Sequence, residues 1–314
     1  MIRVSLPATS ANLGPGFDCL GIALDLWNHF ELRIQGEPGT VRVETVGEGA
    51  DWLPTDRTHL VAKTMLDETW PGMLPADGGI HIRCENQVPC ASGLGSSSTA
   101  TLAGLIFASV LAARAVKKDS VVEAVREAEN LNRVLRRAIK LEGHGDNVAP
   151  ALMGGFVLVV GDEEEPIVRS VPFEPLRVIV CVPQFKFLTT EARTLLPSQY
   201  SKEETIYNIG HSLAVVEALR SGDLDLLQQA MGDRVHEPHR IPHIPGAPDC
   251  RQKALDAGAV ACCLSGAGPG MLAFARSGHE QVGAAMVSAF GDAGLRARSW
   301  VLDAVESGAR VDAV

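Results

Sequence analysis

The stretch Pro89-Cys90-Ala91-Ser92-Gly93-Leu94-Gly95-Ser96-Ser97-Ser98-Thr99-Ala100 constrains this chain more than any other. It is a glycine- and serine-rich loop, and the proline-free apolar segment from Ala100 to Val116 behind it predicts a buried helix. Glycines let backbone N–H groups turn inward with no Cβ in the way. The helix adds its own unpaired N–H groups and the positive end of its dipole. Together these make an anion site, and a nucleotide triphosphate is the commonest multiply charged anion to place there. The plain alternative is a Gly/Ser linker, although a linker is seldom followed at once by so apolar a helix. The loop is not of the Walker type, because no Lys-Ser or Lys-Thr follows its last glycine.

A chain of 314 residues is expected to hold two domains. Its net charge of −10 and the lack of any Lys/Arg-rich run argue against nucleic acid as a partner. The densest charge run, Asp162 to Glu165, is acidic and reads as a solvated turn between strands. The seven cysteines lack metal spacing and sit mostly in apolar contexts, so they are expected to be reduced residues of a cytoplasmic protein. The N-terminus shows no signal-peptide apolar region. The apolar run Ala100 to Val116 is short for a membrane span, and no membrane passage is expected.

Taken in order, the chain opens with a segment rich in small residues. Gly14 and Gly16 flank Pro15, so Asn12 to Asp18 is a shaped loop whose long-reach polar groups are Asn12 and Asp18. It is either a ligand site or a surface turn capped by its own side chains. Strands with alternating polarity follow at Phe30 to Ile34, Val41 to Val43 and Ile80 to Cys84, with a helix starting at Leu60 between the last two. Several antiparallel-looking strands before the main helix give an α+β order. Ser120 and Glu123 form a capping-box pattern for a helix whose stripe is Val121, Val125, Ala128, Leu131 and Leu135.

Glu142-Gly143-His144-Gly145-Asp146-Asn147 crowds polar groups before a further helix. Glu142 suits Mg²⁺, which takes hard oxygens. His144, Asp146 and Asn147 suit a small polar substrate, while Asp146 or Asn147 also suits a helix cap. Thr189, Thr190 and Arg193 lie just beyond a strand at Val178 to Val182. Arg193 and Arg240 are isolated cations fit for a carboxylate or for an ordinary surface position. His236, His239 and His243 lack a zinc pattern, being interrupted by Pro238 and Pro242. A strand from Val260, the cluster Gly266-Ala267-Gly268-Pro269-Gly270, a strand from Met271, a helix from His279 to Phe290 and a strand near Trp300 end the chain.

Three segments resemble those of one family. Pro7 to Asp18 resembles the first motif of homoserine kinases, and Pro89 to Thr99 the phosphate loop of the GHMP kinase superfamily. Leu264 to Pro269 is similar to the third superfamily motif, and His144 to Pro150 narrows the likeness to homoserine kinases. The resemblance implies an α+β, two-domain GHMP kinase fold. It has a ribosomal protein S5 domain 2-like N-terminal domain, here 1–160, and a ferredoxin-like C-terminal domain, here 161–314. It implies transfer of phosphate from ATP to the hydroxyl of L-homoserine, and a homodimer.

By position, the nucleotide falls to Pro89, Ala91, Ser92, Gly93, Leu94, Gly95, Ser96, Ser97, Ser98 and Thr99, with His59 and Val61 near the base. Ser97, or an adjacent serine, and Glu142 fall to Mg²⁺. Asn12, Asp18, His144, Asn147, Thr189, Arg193, Arg240 and Gly266 fall to the substrate, with Glu142, Asn147 and Asp146 closest to the chemistry. Asp146 is the only nearby candidate base, and a strong base is not required for such a transfer. Where the family often shows Asn-Leu-Val near the adenine, this chain has His59-Leu60-Val61. A superfamily kinase for mevalonate or a sugar, and a nucleotide-binding regulator without catalysis, are the rival readings.

Overall fold

The structure is a computed structural model that describes residues 1–161 and 165–314. Asp162, Glu163 and Glu164 of the acidic run lie outside the described residues.

The first sheet begins with β1 (Ile2–Ala11) and the long β2 (Leu20–Ile34), an antiparallel pair. β3 (Val41–Gly47) leads through α1 (Leu60–Asp67) to β4 (Ile80–Asn86). β3 and β4 pair in parallel, not antiparallel as the strand pattern suggests. The helix between them is the physical reason, since a crossover returns the chain in the same direction.

α2 (Ser96–Ala115) then packs across the sheet. It begins four residues earlier than the apolar run indicates, because Gly95 caps it at φ 71° and puts the serines into its first turn. Gly104 is required here: a Cβ would come 2.7 Å from the carbonyl oxygen of Val61 on α1. α2 is long and apolar enough to cross a membrane, but 78% of that window is buried inside the protein.

The expected single helix after Ser120 is two, α3 (Val121–Arg126) and α4 (Ala128–Glu142). Ser120 caps α3 through the Glu123 N–H, as its pattern indicates. The break falls at Glu127, which is extended (ψ 134°), and Asn130 Nδ2 takes up the Val125 carbonyl there at 2.8 Å. α5 (Val148–Met153) leads to β5 (Phe156–Val160) and β6 (Ile167–Val171). β5 pairs with β2 and β6 with β5, so this sheet runs past residue 160.

The second sheet starts at β7 (Arg177–Pro183). A helical stretch follows: α6 (Thr189–Thr194), α7 (Lys202–Ser221), α8 (Leu224–Ala230), α9 (Glu237–Arg240) and α10 (Ala247–Asp256). Then come β8 (Ala259–Leu264), β9 (Met271–Ala275), α11 (His279–Asp292) and β10 (Ala297–Asp303). The order β10-β7-β9-β8, all antiparallel, is the ferredoxin-like arrangement. β11 (Arg310–Ala313) returns to the first sheet and pairs with β1.

One core lies between α2 and the first sheet, and another between the second sheet and α10 with α11. A third takes residues from both sheets, including Ala8, Leu20, Ile22 and Phe156 from one and Val178, Val180 and Leu272 from the other. Burying roughly 1.5–3 kcal/mol of apolar side chain per large residue across that seam holds the two sheets together. The five cysteines at 84, 181, 250, 262 and 263 are buried, and none of the seven is in a disulfide.

Candidate active site

The loop between β1 and β2 is the first wall. Asn12, Leu13 and Asp18 all have positive φ (69°, 49° and 55°), a conformation costly for residues with a Cβ. The conformation persists because its backbone is tied down from the second half of the chain. The Pro15 carbonyl accepts from Asn208 Nδ2 at 3.1 Å and Ser212 Oγ at 2.6 Å, both on α7. The Gly14 carbonyl accepts from His236 Nε2 at 2.9 Å. The Asn12 side chain is used within the wall: Nδ2 donates to the Gly266 carbonyl at 2.8 Å and Oδ1 accepts from the Asp18 N–H at 3.0 Å.

The phosphate loop is the second wall. Gly93 (φ 81°) and Gly95 (φ 71°) sit where no other residue fits. A Cβ on Gly93 would lie 2.1 Å from the Ser265 carbonyl, and one on Gly95 2.1 Å from Thr9 Oγ1. Ser265 Oγ donates to the Gly93 carbonyl at 2.8 Å, and the Gly270 N–H donates to Ser92 at 3.1 Å. The three glycine-bearing segments, far apart in sequence, are therefore bonded into one unit.

Across from them stands the end of α4. The Glu142 carboxylate accepts from Thr101 Oγ1 at 2.6 Å, Ser97 Oγ at 3.2 Å and Ser98 Oγ at 3.3 Å. This set of hard oxygens fits Mg²⁺, which binds through one or two carboxylates and its substrate's phosphates. No cluster of three His, Cys, Asp or Glu side chains able to hold a metal exists among the described residues. His144 Nδ1 is 2.8 Å from Asp146 Oδ1. Burial lowers the His144 pKa, but the hydrogen bond and charge of Asp146, with the charge of Glu142, outweigh it and raise it above 6.5. Asn147 starts α5 without capping it by its side chain; its Oδ1 accepts from Thr9 Oγ1 at 2.8 Å. Asp146 likewise caps nothing, its carboxylate being turned to His144.

Two arginines close the far end. Arg193 grips Asp18 with two hydrogen bonds, 3.0 and 2.9 Å. Arg240 is 2% exposed and forms no ion pair with a carboxylate among the described residues. Its Nε donates to the Ala192 carbonyl at 3.3 Å, and its guanidinium lies 5.1 Å from the Phe17 ring centre. Burial, and then the nearby charge of Arg193, push its pKa below the usual arginine value.

These groups line one cleft open to solvent, with about 580 Å³ between its walls counting the open mouth. It is lined by Asn12, Asp18, Ala91, Ser92, Gly93, Gly95, Ser96, Ser97, Ser98, Glu142, His144, Asp146, Asn147, Thr189, Arg193, Arg240, Gly266 and Ala267. A second, more apolar compartment of about 560 Å³ adjoins it through Ala91, Ser96 and Ser97. His59, Trp52, Leu53 and Cys90 line that one. His59 Nδ1 accepts from the Val61 N–H at 3.3 Å, and its buried Nε2 has no partner. Burial lowers its pKa, and with Nδ1 accepting, the neutral ring carries its proton on Nε2.

Four of the expected contacts line neither compartment. Val61 and Leu94 are wholly buried in the cores. The Pro89 carbonyl accepts from Ser92 Oγ at 2.7 Å, and Thr99 Oγ1 donates to the Ser96 carbonyl at 2.8 Å, so both shape the loop from behind. Conversely, Thr101, Ala267, Trp52 and His236 were not singled out by sequence for these places. Thr101 stood four residues from Ser97, one helical turn along, which is a readable signal. His236 has no such local signal, since its partners Gly14 and Phe17 lie more than 200 residues away.

The family model described as GHMP kinases N terminal domain matches residues 58–155, and that described as GHMP kinases C terminal matches residues 215–293. Homoserine kinase of Desulfitobacterium hafniense is 37% identical over 313 residues, spanning 99% of this chain and 100% of that protein. The chain belongs to the homoserine kinase family of GHMP kinases. A Synechococcus homoserine kinase is also 37% identical, over 99% of this chain and 98% of its own. The crystal structure of homoserine kinase from Cytophaga hutchinsonii superposes with a TM-score of 0.81 at 30% identity, covering 99% of this chain and 97% of that one. Mevalonate kinase of L. major, solved with R-mevalonate, shares the fold alone, at 18% identity, a TM-score of 0.66, and coverage of 97% of this chain and 96% of that one. The two-domain α+β architecture is thus that of the homoserine kinase family.

Proposed function

We propose that this chain transfers the γ-phosphoryl group of ATP to the hydroxyl of L-homoserine, giving O-phospho-L-homoserine for threonine biosynthesis. The observation that carries this reading is Arg240, a buried guanidinium without a carboxylate partner among the described residues, in the same cleft as the Gly93–Ser98 cradle. A buried cation of this kind asks for an anion from outside the protein. A carboxylate fills that need, and Asp18 beside it suits an ammonium group. An amino acid carries both.

In this reading the base of ATP occupies the compartment of Trp52 and His59, and the phosphates pass along Ser96 and Ser97 into the main cleft. The N–H groups of Gly93 to Ser98 and the end of α2 would bind the phosphate oxygens and offset charge that develops in the transition state. Ser97 and Glu142 would hold Mg²⁺, which when bound neutralises phosphate charge. Arg193, Arg240 and Asp18 fix the two charged ends of the amino acid, which brings its hydroxyl toward the phosphate. Phosphoryl transfer is loose and needs position more than a strong base. Asp146 is bonded to His144, so the pair can accept or share the hydroxyl proton without standing as a free base.

The buried α2 and the unpaired cysteines support a cytoplasmic setting. A coupled assay of ADP release tests the reading. L-homoserine should support turnover, and mevalonate, which has no ammonium group, should not. No ADP release with L-homoserine removes the assignment.

A further inference from the structure

We infer that His236 is a positioning residue for the substrate carboxylate, acting by holding Arg240 with a lone pair. Its side chain is fully enclosed, and both ring nitrogens are engaged. Nδ1 lies 3.3 Å from Arg240 Nη1, and Nε2 lies 2.9 Å from the Gly14 carbonyl oxygen. Arginine has donors only and a carbonyl oxygen accepts only. The two contacts together therefore fix the ring: Nδ1 is unprotonated and accepts from Arg240, and Nε2–H donates to Gly14.

The ring does more than end a hydrogen bond. It stacks on Phe17, centres 5.2 Å apart and planes inclined by 26°. Arg240 lies 5.1 Å and Arg193 5.8 Å from the same Phe17 ring. Phe17 and Gly14 belong to the strained β1–β2 loop, and Phe17 precedes Asp18. One imidazole therefore ties the orientation of Arg240 to the seat of Asp18. The Asp233 carboxylate holds the backbone around it, accepting from the N–H groups of His236 at 2.9 Å and Glu237 at 2.7 Å. Asp233 Oδ2 is 3.7 Å from Nε2, on the side away from Arg240.

This inference rests on the reading of Arg240 as the carboxylate partner, and two amide substitutions separate it from a packing role. In His236→Asn the amide oxygen stands near the position of Nδ1, keeping the acceptor for Arg240 and losing the bond to Gly14. In His236→Gln the amide nitrogen stands near Nε2, keeping the bond to Gly14 and losing the acceptor. Both remove the ring, and His236→Asn, shorter by one methylene, removes the more volume, so a pure packing role would make it the more damaging of the two. Calorimetric titration with L-homoserine and steady-state kinetics should show KM for homoserine raised roughly tenfold or more in His236→Gln, since a hydrogen bond to a charged group is lost. KM for ATP should stay within about twofold. His236→Asn should fall between it and the parent. Nitrogen NMR of histidine-labelled protein should show one enclosed ring with Nδ1 unprotonated and Nε2 protonated.

Equal KM effects in the two variants, or an NMR signal for the opposite tautomer, overturn the inference while leaving homoserine binding by the parent intact. Failure of the parent to bind L-homoserine overturns the underlying reading instead. Should either variant unfold, the tautomer measured on the parent still decides.

Discussion

Arg193 and Asp18 hold each other across the cleft through paired hydrogen bonds of 3.0 and 2.9 Å, although sequence assigned them to opposite ends of one ligand. Arg193 is on α6 and Asp18 on the β1–β2 loop, so the bond joins segments 175 residues apart. A zwitterion can replace each partner by its own group, carboxylate for Asp18 and ammonium for Arg193. Binding would then exchange one ion pair for two. Both side chains are about a third exposed (37% and 34%), so breaking the resting pair costs little.

Asp18→Asn should therefore leave the fold intact and weaken homoserine use. A lost charged hydrogen bond of about 1.5–3 kcal/mol corresponds to a drop in kcat/KM of roughly 10- to 150-fold. Steady-state kinetics with L-homoserine measures this; an unchanged kcat/KM removes Asp18 from the substrate.

Arg240→Ala should cost homoserine use roughly 2–5 kcal/mol in kcat/KM, since a desolvated carboxylate loses its partner. Arg240→Met separates function from stability. Replacing a buried cation that has no carboxylate partner among the described residues by an apolar chain of similar length should leave the thermal midpoint of the ligand-free protein unchanged or higher. A large fall in that midpoint would give Arg240 a structural role.

Glu142→Ala should lower kcat by on the order of 100- to 1000-fold at saturating substrate, as loss of a group acting on transition-state charge does. KM for homoserine should move far less. Kinetics across a Mg²⁺ series should also show a raised requirement for the ion, and the reverse pattern removes Glu142 from the metal.

His144 gives a pH dependence of stability. Its pKa is raised above 6.5 in the fold, so the protonated ring paired with Asp146 stabilises fully below that value. The contribution is lost as pH rises through the folded pKa. Thermal melts of the parent and His144→Gln should differ most near about pH 6 and least near about pH 8.5. A difference that grows with pH contradicts the pairing.

Gly93→Ala should damage both fold and activity. The new Cβ would stand 2.1 Å from the Ser265 carbonyl, at a backbone φ of 81°. Strain in that region alone costs about 1–2 kcal/mol, and the loop must also part from the third glycine segment. A thermal midpoint equal to the parent's would show that the two loops are not held together there.

Much of this site was legible because its signals are local. Glycines at Gly93 and Gly95, three serines and an apolar helix spell an anion cradle in consecutive residues. Arg193 and Arg240 stood out as isolated cations, and the shaped loop from Asn12 to Asp18 declared itself through its glycines and proline. Residues that support the site from behind were not separable from those facing it. Val61, Leu94 and Thr99 belong to the same motifs as true cleft residues, and only the side each one faces divides them.

The chain's order of small, polar and apolar residues determined on its own that a phosphate cradle would form, and that carboxylate, hydroxyl and guanidinium groups would be at hand. Only tertiary structure decided their partnerships: that Asp18 meets Arg193, that His236 turns a lone pair to Arg240, and that β11 returns to β1. Local signals come from spacing along a helix or turn, which a sequence carries in full. Pairings between distant segments depend on how two sheets bury one shared core, and no stretch of residues encodes that by itself.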